Sequence, residues 1–166
     1  MSSDLEQQVK DLARRVRELE DIKEISQLVA QYGPAADSGS LTAAPELWER
    51  DGVYDVLDVR RMEGRGEIQA MLEGEGHQEV ITAGCGHLVT PPHIVLDGDE
   101  ATGRSHQMLV VWDKDADRFW VKRVSATRWR WRRTAEGWRI AERTNHNLNG
   151  AEAARALMAY DPGQDE

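Results

Sequence analysis

The chain has 166 residues, of which 31% are charged, and its formal net charge is −9. This length fits one domain and buries enough apolar surface to fold without a disulfide or a metal. The acidic balance argues against nucleic acid as the main partner, and the single cysteine, Cys85, excludes an internal disulfide and a cysteine-based metal cluster.

The apolar runs are all shorter than the roughly 18 residues that cross a bilayer, so we expect no membrane partner. The N-terminal sequence also lacks the charged-then-apolar layout of a signal peptide. Both observations favour a cytoplasmic protein.

The first thirty-odd residues predict a helix with two apolar stripes. The first stripe has the 4-3-4-3 spacing of a coiled-coil seam and comprises Leu5, Val9, Leu12, Val16 and Leu19. The second stripe is offset from it and comprises Ile22, Ile25, Val29 and Tyr32. We expect residues 1–19 to form an arm that packs on another subunit or across the domain, residues 20–158 to form one α+β domain, and residues 159–166 to form a frayed tail. The alternative is one continuous amphipathic helix whose apolar residues all pack on a single core. Gly33-Pro34 is expected to disturb the helix, because proline disfavours helical geometry at the residue before it.

The rest of the chain predicts short helices followed by strands. Residues 43–50 and 66–73 are typical of helices, and residues 53–56 and 58–62 of a strand pair. Further strands are predicted over residues 87–89, 93–96, 101–112, 118–133 and 138–148, before a short C-terminal helix. Helices first and an antiparallel meander later predict an α+β fold with the helices on one face of a curved sheet.

The segment 118–143 is basic and rich in tryptophan. It holds eight Arg and one Lys against two Glu, a net +7 that leaves −16 for the rest of the chain. Alternation places Arg128, Arg130 and Arg132 on one face of a strand and Trp129 and Trp131 on the other. This pattern favours an outer sheet face that meets acidic parts of neighbouring subunits, rather than a nucleic-acid platform.

Three groups of polar residues are candidates for chemistry. Asp37 lies five residues after Tyr32 and could orient a histidine at the mouth of a cavity, or it could be a solvated loop residue. On the last strand, alternation places Arg143, Asn145 and Asn147 on one face. This polar row could orient a ligand, or it could simply face solvent. The third group comprises the five histidines: His77 is expected in a surface loop, and His87, His93, His106 and His146 on strands. His106 alternates with Met108 and Val110, and the histidine spacing predicts no metal site.

Several of these segments resemble the SnoaL-like family of the nuclear-transport-factor-2-like superfamily. The matching stretches are residues 25–39, 47–54, 64–69, 87–90, 94–104 and 136–140, and the likeness covers about residues 20–150. The resemblance implies a cone in which a strongly curved mixed sheet wraps around the N-terminal helices and encloses one deep apolar pocket.

The enzyme branches that the chain resembles are scytalone dehydratase, bile-acid 7α-dehydratase and hexachlorocyclohexane dehydrochlorinase. They eliminate a small group from a hydrophobic ring without a cofactor, through an Asp–His dyad. By position the resemblance implies His87 as the base and Asp37 as its partner, with Tyr32 and Arg143 assisting the leaving group. It gives looser counterparts for Tyr54 and His106, and places Asn147 where the bile-acid enzyme has an arginine. Trp48 and Trp112 are bulky residues that could shape the pocket.

The sequence therefore predicts a cofactor-independent lyase or isomerase that acts on a hydrophobic cyclic molecule such as a steroid, terpenoid or polyketide. A ligand-binding or assembly module without chemistry is the alternative. Epoxide hydrolysis is disfavoured because Arg104 lacks an aspartate two residues away, where His106 stands. The heptad-like seam of residues 5–19 needs a partner surface, because a short helix is marginal alone, and it predicts a homo-oligomer, a dimer or trimer.

Overall fold

The computed structural model describes residues 2–57 and 59–159. Its elements are α1 (Ser2–Asp37), β1 (Trp48–Val56), β2 (Arg60–Glu63), α2 (Gly64–Glu73), α3 (Glu75–Ala83), β3 (Cys85–Val89), β4 (His93–Asp97), β5 (Glu100–Asp113), β6 (Arg118–Thr134), β7 (Gly137–Asn147) and α4 (Glu152–Leu157). Within these residues no helix is long and apolar enough to cross a membrane. The expected frayed tail lies outside the described residues from position 160 onward, as does residue 58 of the expected second strand.

The strands form one mixed sheet in the order β2-β1-β7-β6-β5-β3, with β4 also paired to β5. The pairs are antiparallel except that β1 runs parallel to β7. The α+β class with a curved, mixed sheet and N-terminal helices is confirmed, and the strands from β3 onward pair antiparallel with one another as predicted. The parallel pair places the first strand beside the last, and α1 packs mainly on β3 and β7.

Helix α1 carries the two predicted apolar stripes, which differ in their exposure to solvent. The second stripe is buried against the inner face of the sheet from Ile25 onward, where Ile25 is 0% and Tyr32 3% exposed, but its first member, Ile22, is 38% exposed. The seam residues are 52–66% exposed. Contact with the domain begins at Asp21, whose carboxylate accepts hydrogen bonds from Arg133 at 2.6 and 2.8 Å and from the Trp138 indole at 3.0 Å. The domain thus holds α1 from one end, and residues 2–20 extend beyond it.

The expected disturbance at Gly33-Pro34 is wrong, because α1 continues through both residues to Asp37. Pro34 lies in the last turn of the helix, where its missing N–H removes a single helical hydrogen bond. At Gly33 a side chain would collide with the backbone carbonyl of His87. Close packing on β3 therefore holds the last turn, and the absence of a side chain at Gly33 permits that packing.

Two short elements differ from the prediction. Residues 43–50 form a 3₁₀ turn at Pro45–Leu47 instead of a helix, and Trp48 is already extended. Its fully buried indole donates to the Val53 carbonyl at 3.2 Å, which fixes the start of β1. The loop expected around His77 is helix α3, which Gly74 separates from α2. Glycines at 74 and 76 dilute the helical pattern in the sequence.

Strand β6 alternates as predicted, with Trp129 and Trp131 buried and Arg128 and Arg130 exposed on the outer face. Several of its arginines form ion pairs within the chain: Arg130 with Glu142, Arg132 with Glu49 and Glu100, and Arg133 with Asp21 and Asp99. These pairs neutralise part of the excess positive charge, so less of it is left for neighbouring subunits.

The parity predicted for β7 is wrong across Ala141. Trp131 pairs with Ile140 but Arg130 pairs with Glu142, so β7 has one extra residue at this point. Such a bulge reverses the alternation. Ile140 and Arg143, expected on opposite faces, are consequently both buried on the inner face, and Asn145 follows them there.

Candidate active site

Asp37 and His87 meet where the end of α1 lies against β3. The Asp37 Oδ1 atom lies 2.6 Å from Nδ1 of His87, and Oδ2 accepts the His87 backbone N–H at 2.8 Å. The Cys85 thiol donates to Oδ1 at 3.6 Å. Because a carboxylate can only accept, Nδ1 carries the ring proton. The other ring nitrogen, Nε2, is then the basic one.

The surroundings keep the His87 ring neutral. Burial lowers the pKa of His87 below 6.5, and the positive charges of Arg143 and Arg123 lower it further. The hydrogen bond and the charge of Asp37 act in the opposite direction but do not reverse the net shift. A neutral imidazole at neutral pH can accept a proton.

A second histidine touches the dyad. The ring of His77, on α3, lies with its centroid 5.8 Å from that of His87. Burial, and then the charge of His87, lower the pKa of His77, and its buried Nε2 has no hydrogen-bond partner among residues 2–57 and 59–159. The sequence gives no signal for this contact, because the position of His77 depends on where α3 begins.

Cys85 completes a potential ligand set with the dyad. One ligand atom each from Asp37, Cys85 and His87 lies within 4.8 Å of the others, a spacing that a metal ion could use. Burial and the negative charge of Asp37, however, raise the pKa of the Cys85 thiol to about 11. Since the thiolate is the metal-binding form, this shift favours a protonated thiol that donates to Asp37.

Arg143 lies at the centre of an aromatic cage. Its side chain is 0% exposed, and its Cζ atom is 3.9 Å from the ring centroid of Tyr32, 4.5 Å from Trp129 and 4.9 Å from Tyr54. One guanidinium nitrogen, Nη2, donates to the Gln107 side-chain oxygen. The other two, Nε and Nη1, have no hydrogen-bond partner in the described part of the chain. Such a group is costly to bury, and an oxygen-bearing ligand would satisfy it.

Gln107 and Asn145 extend the polar cluster around Arg143. Asn145 Nδ2 donates to the Tyr54 hydroxyl at 3.0 Å and to the Gln107 oxygen at 2.8 Å. Gln107 Nε2 and Asn145 Oδ1 are buried without a partner among the residues that can be described. This part of the interior is thus more polar than the apolar pocket that the resemblance implies. Gln107 was missed, although its alternation with buried Ser105 and Leu109 could have placed it inward.

The structure brings together six of the nine predicted site residues. Trp48 meets Tyr32 edge to face at 6.0 Å and lies 5.7 Å from Tyr54, which joins these rings to the cluster of Asp37, His87 and Arg143. Burial, and next the neighbouring Tyr54, raise the pKa of Tyr32, so its hydroxyl stays protonated at neutral pH.

Three predicted residues lie elsewhere. His106 is exposed on the opposite face of β5 from the inward Gln107. Trp112, near the end of β5, packs against Phe119 with the ring centroids 4.9 Å apart, and it lines a separate cavity of about 380 Å³ next to α3. Asn147 is exposed at the end of β7, where it accepts a hydrogen bond from Ser125 at 3.3 Å and lines a cavity of about 150 Å³ that reaches Asn145. Asn147 therefore lies outside the cluster of Asp37, His87 and Arg143.

Known structures have the same fold. An NTF2-like protein with a cystatin-like fold from Novosphingobium aromaticivorans is 42% identical, with a TM-score of 0.88, over 91% of this chain and 97% of that one. A protein of unknown function from Mycobacterium tuberculosis is 22% identical, with a TM-score of 0.71, over 86% of each chain. A structure from Catenulispora acidiphila in complex with S-DNPA is 19% identical, with a TM-score of 0.67, over 82% of this chain and 96% of that one. The last two likenesses show the fold alone.

A search of curated proteins gives no match. The SnoaL-like domain family matches residues 17–144, which include the Asp37–His87 pair and Arg143. The chain therefore belongs to the SnoaL-like family of the nuclear-transport-factor-2-like superfamily.

Proposed function

We propose that the protein is a cofactor-independent lyase or isomerase that removes a proton from carbon in a hydrophobic cyclic molecule, such as a steroid, terpenoid or polyketide. The observation that carries this proposal is the 2.6 Å contact between Asp37 Oδ1 and His87 Nδ1. The family includes polyketide cyclases and dehydratases, and its fold typically binds small hydrophobic ligands. Both properties suit the proposed substrate class.

His87 is the base in this proposal. With its proton on Nδ1, it takes a proton through Nε2 from a carbon next to a carbonyl group, and Asp37 stabilises the imidazolium that forms. The lowered pKa of His87 keeps the ring ready at neutral pH. Such a proton transfer contributes about 10²–10⁴-fold to the rate.

Arg143 stabilises the negative charge that the proton transfer creates. When the carbon loses its proton, the electron pair moves onto the carbonyl oxygen as an enolate. The unpaired Nε and Nη1 of Arg143 are donors suited to that oxygen, in a buried setting where charge stabilisation is strong. Gln107 and Asn145 hold the guanidinium and the Tyr54 hydroxyl in place.

Tyr32 assists the second step. In an elimination the enolate re-forms the carbonyl and a carbon–oxygen bond breaks. The departing hydroxide takes the proton that His87 removed and leaves as water, which returns His87 to its neutral form. The raised pKa of Tyr32 keeps its hydroxyl protonated, so it can donate a hydrogen bond to that oxygen. In an isomerisation the His87 imidazolium instead returns the proton to another carbon.

The alternatives depend on other arrangements. A purely binding module is favoured where the carboxylate and imidazole stay apart, whereas here they are in contact. Epoxide hydrolysis needs an Asp-Arg-Asp set, but the contacts of Arg143 are to Gln107 and aromatic rings, and Asp37 is engaged by His87. The proposed elimination or isomerisation needs only the contact between Asp37 and His87 and a nearby donor, which Arg143 supplies.

The test is a panel of cyclic ketones and β-hydroxyketones incubated with the protein in D₂O. Deuterium at the carbon next to the carbonyl reports proton abstraction, and loss of water reports elimination, both read by mass spectrometry. His87→Ala and Asp37→Asn are expected to abolish both signals, whereas His106→Ala, on the outer face, retains them. Unchanged turnover in both site variants on a confirmed substrate contradicts the proposal.

A further inference from the structure

Residues 2–20 of α1 form an arm with a large apolar surface, which residues 21–57 and 59–159 leave uncovered. At 1.5 Å per residue this arm is about 30 Å long. Its seam comprises Leu5, Val9, Leu12, Val16 and Leu19, all 52–66% exposed. A helix of this length with a continuous apolar seam gains most of its stability from packing on a partner.

The seam points away from the chain's own domain. At 3.6 residues per turn, the centre of the seam lies roughly 150° around the helix from the centre of the buried stripe of Ile25, Val29 and Tyr32. The side of the arm that faces the domain is different and mainly polar: it lines a cavity of about 1030 Å³ with Lys10, Arg14 and Arg17 opposite β4. The domain therefore cannot cover the seam, which leaves it free for another molecule.

We propose that the seam pairs with the same seam of a second copy of this chain, as a parallel two-stranded coiled coil. The 4-3-4-3 spacing places Val9 and Val16 at heptad position a and the three leucines at position d. A β-branched residue at a with leucine at d favours two parallel strands. Because the seam and the buried stripe are nearly opposite, the two domains lie on the outside of the pair and do not collide. This inference does not depend on the proposed catalysis.

The charges beside the seam are complementary in the parallel arrangement. Arg15 occupies position g and Glu20 the next position e, and both are exposed. In a parallel pair Arg15 faces the partner subunit's Glu20, and symmetry repeats the contact on the other side. An antiparallel pair instead brings the acidic e positions, Glu6 and Glu20, towards one another. The charge pattern therefore selects the parallel orientation.

The oligomeric state of the full-length chain tests the pairing. Light scattering after gel filtration is expected to give a dimer for the natural chain and a monomer for Leu12→Glu. Gln7→Glu, which adds the same charge at the exposed position f, is expected to stay dimeric. Near-ultraviolet circular dichroism of the buried tryptophans checks that each variant keeps its domain. A monomeric or trimeric natural chain, or a Leu12→Glu dimer held by another surface such as Phe119 and Trp120, overturns the proposal.

Cysteine cross-linking tests the orientation. In a Cys85→Ser background, Val9→Cys is expected to form an intermolecular disulfide under mild oxidation, because equivalent a positions face each other only in a parallel, in-register pair. Gln7→Cys, outside the seam, is the matched control and is expected to cross-link little. Glu20→Arg should weaken the dimer about fivefold, and adding Arg15→Glu should restore it. Failure of Val9→Cys to cross-link in a confirmed dimer, or failure of the charge swap to rescue, overturns the parallel arrangement.

Discussion

The carboxylate of Asp37 accepts two hydrogen bonds from His87, one from the ring Nδ1 at 2.6 Å and one from the backbone N–H at 2.8 Å. The backbone bond ties strand β3 to the end of α1, and the ring bond fixes the rotation of the imidazole. One side chain thus sets both the position and the tautomer of His87. An isosteric amide can retain only part of this arrangement.

Asp37→Asn is expected to lower kcat/KM by at least about 10²-fold, because an amide no longer stabilises the imidazolium and can favour the wrong tautomer. The steady-state kinetics of proton abstraction on a confirmed substrate measure the effect. Asp115→Asn, in the exposed turn between β5 and β6, is the matched control and should leave the rate unchanged. A loss of less than twofold in Asp37→Asn would count against the role of the dyad.

The pH profile of kcat/KM should follow the neutral form of His87. Because burial lowers its pKa, the base is fully available above pH 6.5, and activity falls only at a lower pH. Removing the positive charge in Arg143→Met, provided turnover remains measurable, should move the acid limb of the profile towards higher pH. An acid limb above pH 6.5 in the natural chain contradicts the shift described for His87.

His77 should make the fold sensitive to acid. Burial and the charge of His87 lower its pKa, so the folded state binds fewer protons than the unfolded chain. Its contribution to stability is complete above pH 6.5 and is lost as pH falls through the lowered pKa. His77→Gln should therefore flatten the dependence of Tm on pH between pH 7 and pH 5, whereas His106→Gln should not. If the plots of Tm against pH for His77→Gln and for the natural chain are parallel, His77 is not the source of the acid sensitivity.

Arg143→Met separates function from stability. Activity should fall about 10²–10³-fold, because the donors to the developing oxyanion are lost. The free energy of unfolding should stay unchanged or rise by up to about 3 kcal/mol, because an apolar side chain replaces a buried cation without a carboxylate partner. Urea denaturation measures it, with exposed Arg130→Met as control. A less stable variant that keeps its activity would assign Arg143 a structural role.

Gly33→Ala should damage the dyad through the backbone. An added methyl group would collide with the His87 carbonyl, so β3 must move away from α1. We expect a loss of about 1–3 kcal/mol in the free energy of unfolding and a parallel loss of activity. Gly66→Ala, in helix α2 with open space around it, should be neutral or slightly stabilising. Equal stability of the two variants would contradict the close packing at Gly33.

The sequence predicts the elements that show regular alternation. The two stripes of α1 and the faces of β6 follow from periodicity alone. The bulge at Ala141 does not, because a period of two carries no sign of an extra residue. The continuation of α1 past Pro34 depends on packing against β3, which no local pattern reveals.

The candidate site was only partly predictable for a related reason. Asp37 and His87 are fifty positions apart, and their pairing came from a family resemblance rather than from spacing. Gln107 and His77 were missed, because their orientation depends on neighbours distant in the chain. Patterns of neighbouring residues predict where helices and strands lie. The candidate site, in contrast, is formed by contacts between elements that are far apart in the sequence.

The parallel pairing of β1 with β7 also constrains the order in which parts of the chain fold. Tyr54 and Arg143 are register partners in that pair, although eighty-nine positions separate them. Contacts of such long sequence separation pay a large loop-closure cost and form late in folding. A chain still being synthesised therefore holds the dyad residues Asp37 and His87 before the cation that completes the site. In the proposed mechanism, the base and the cation are therefore both in place only after the last strand has paired.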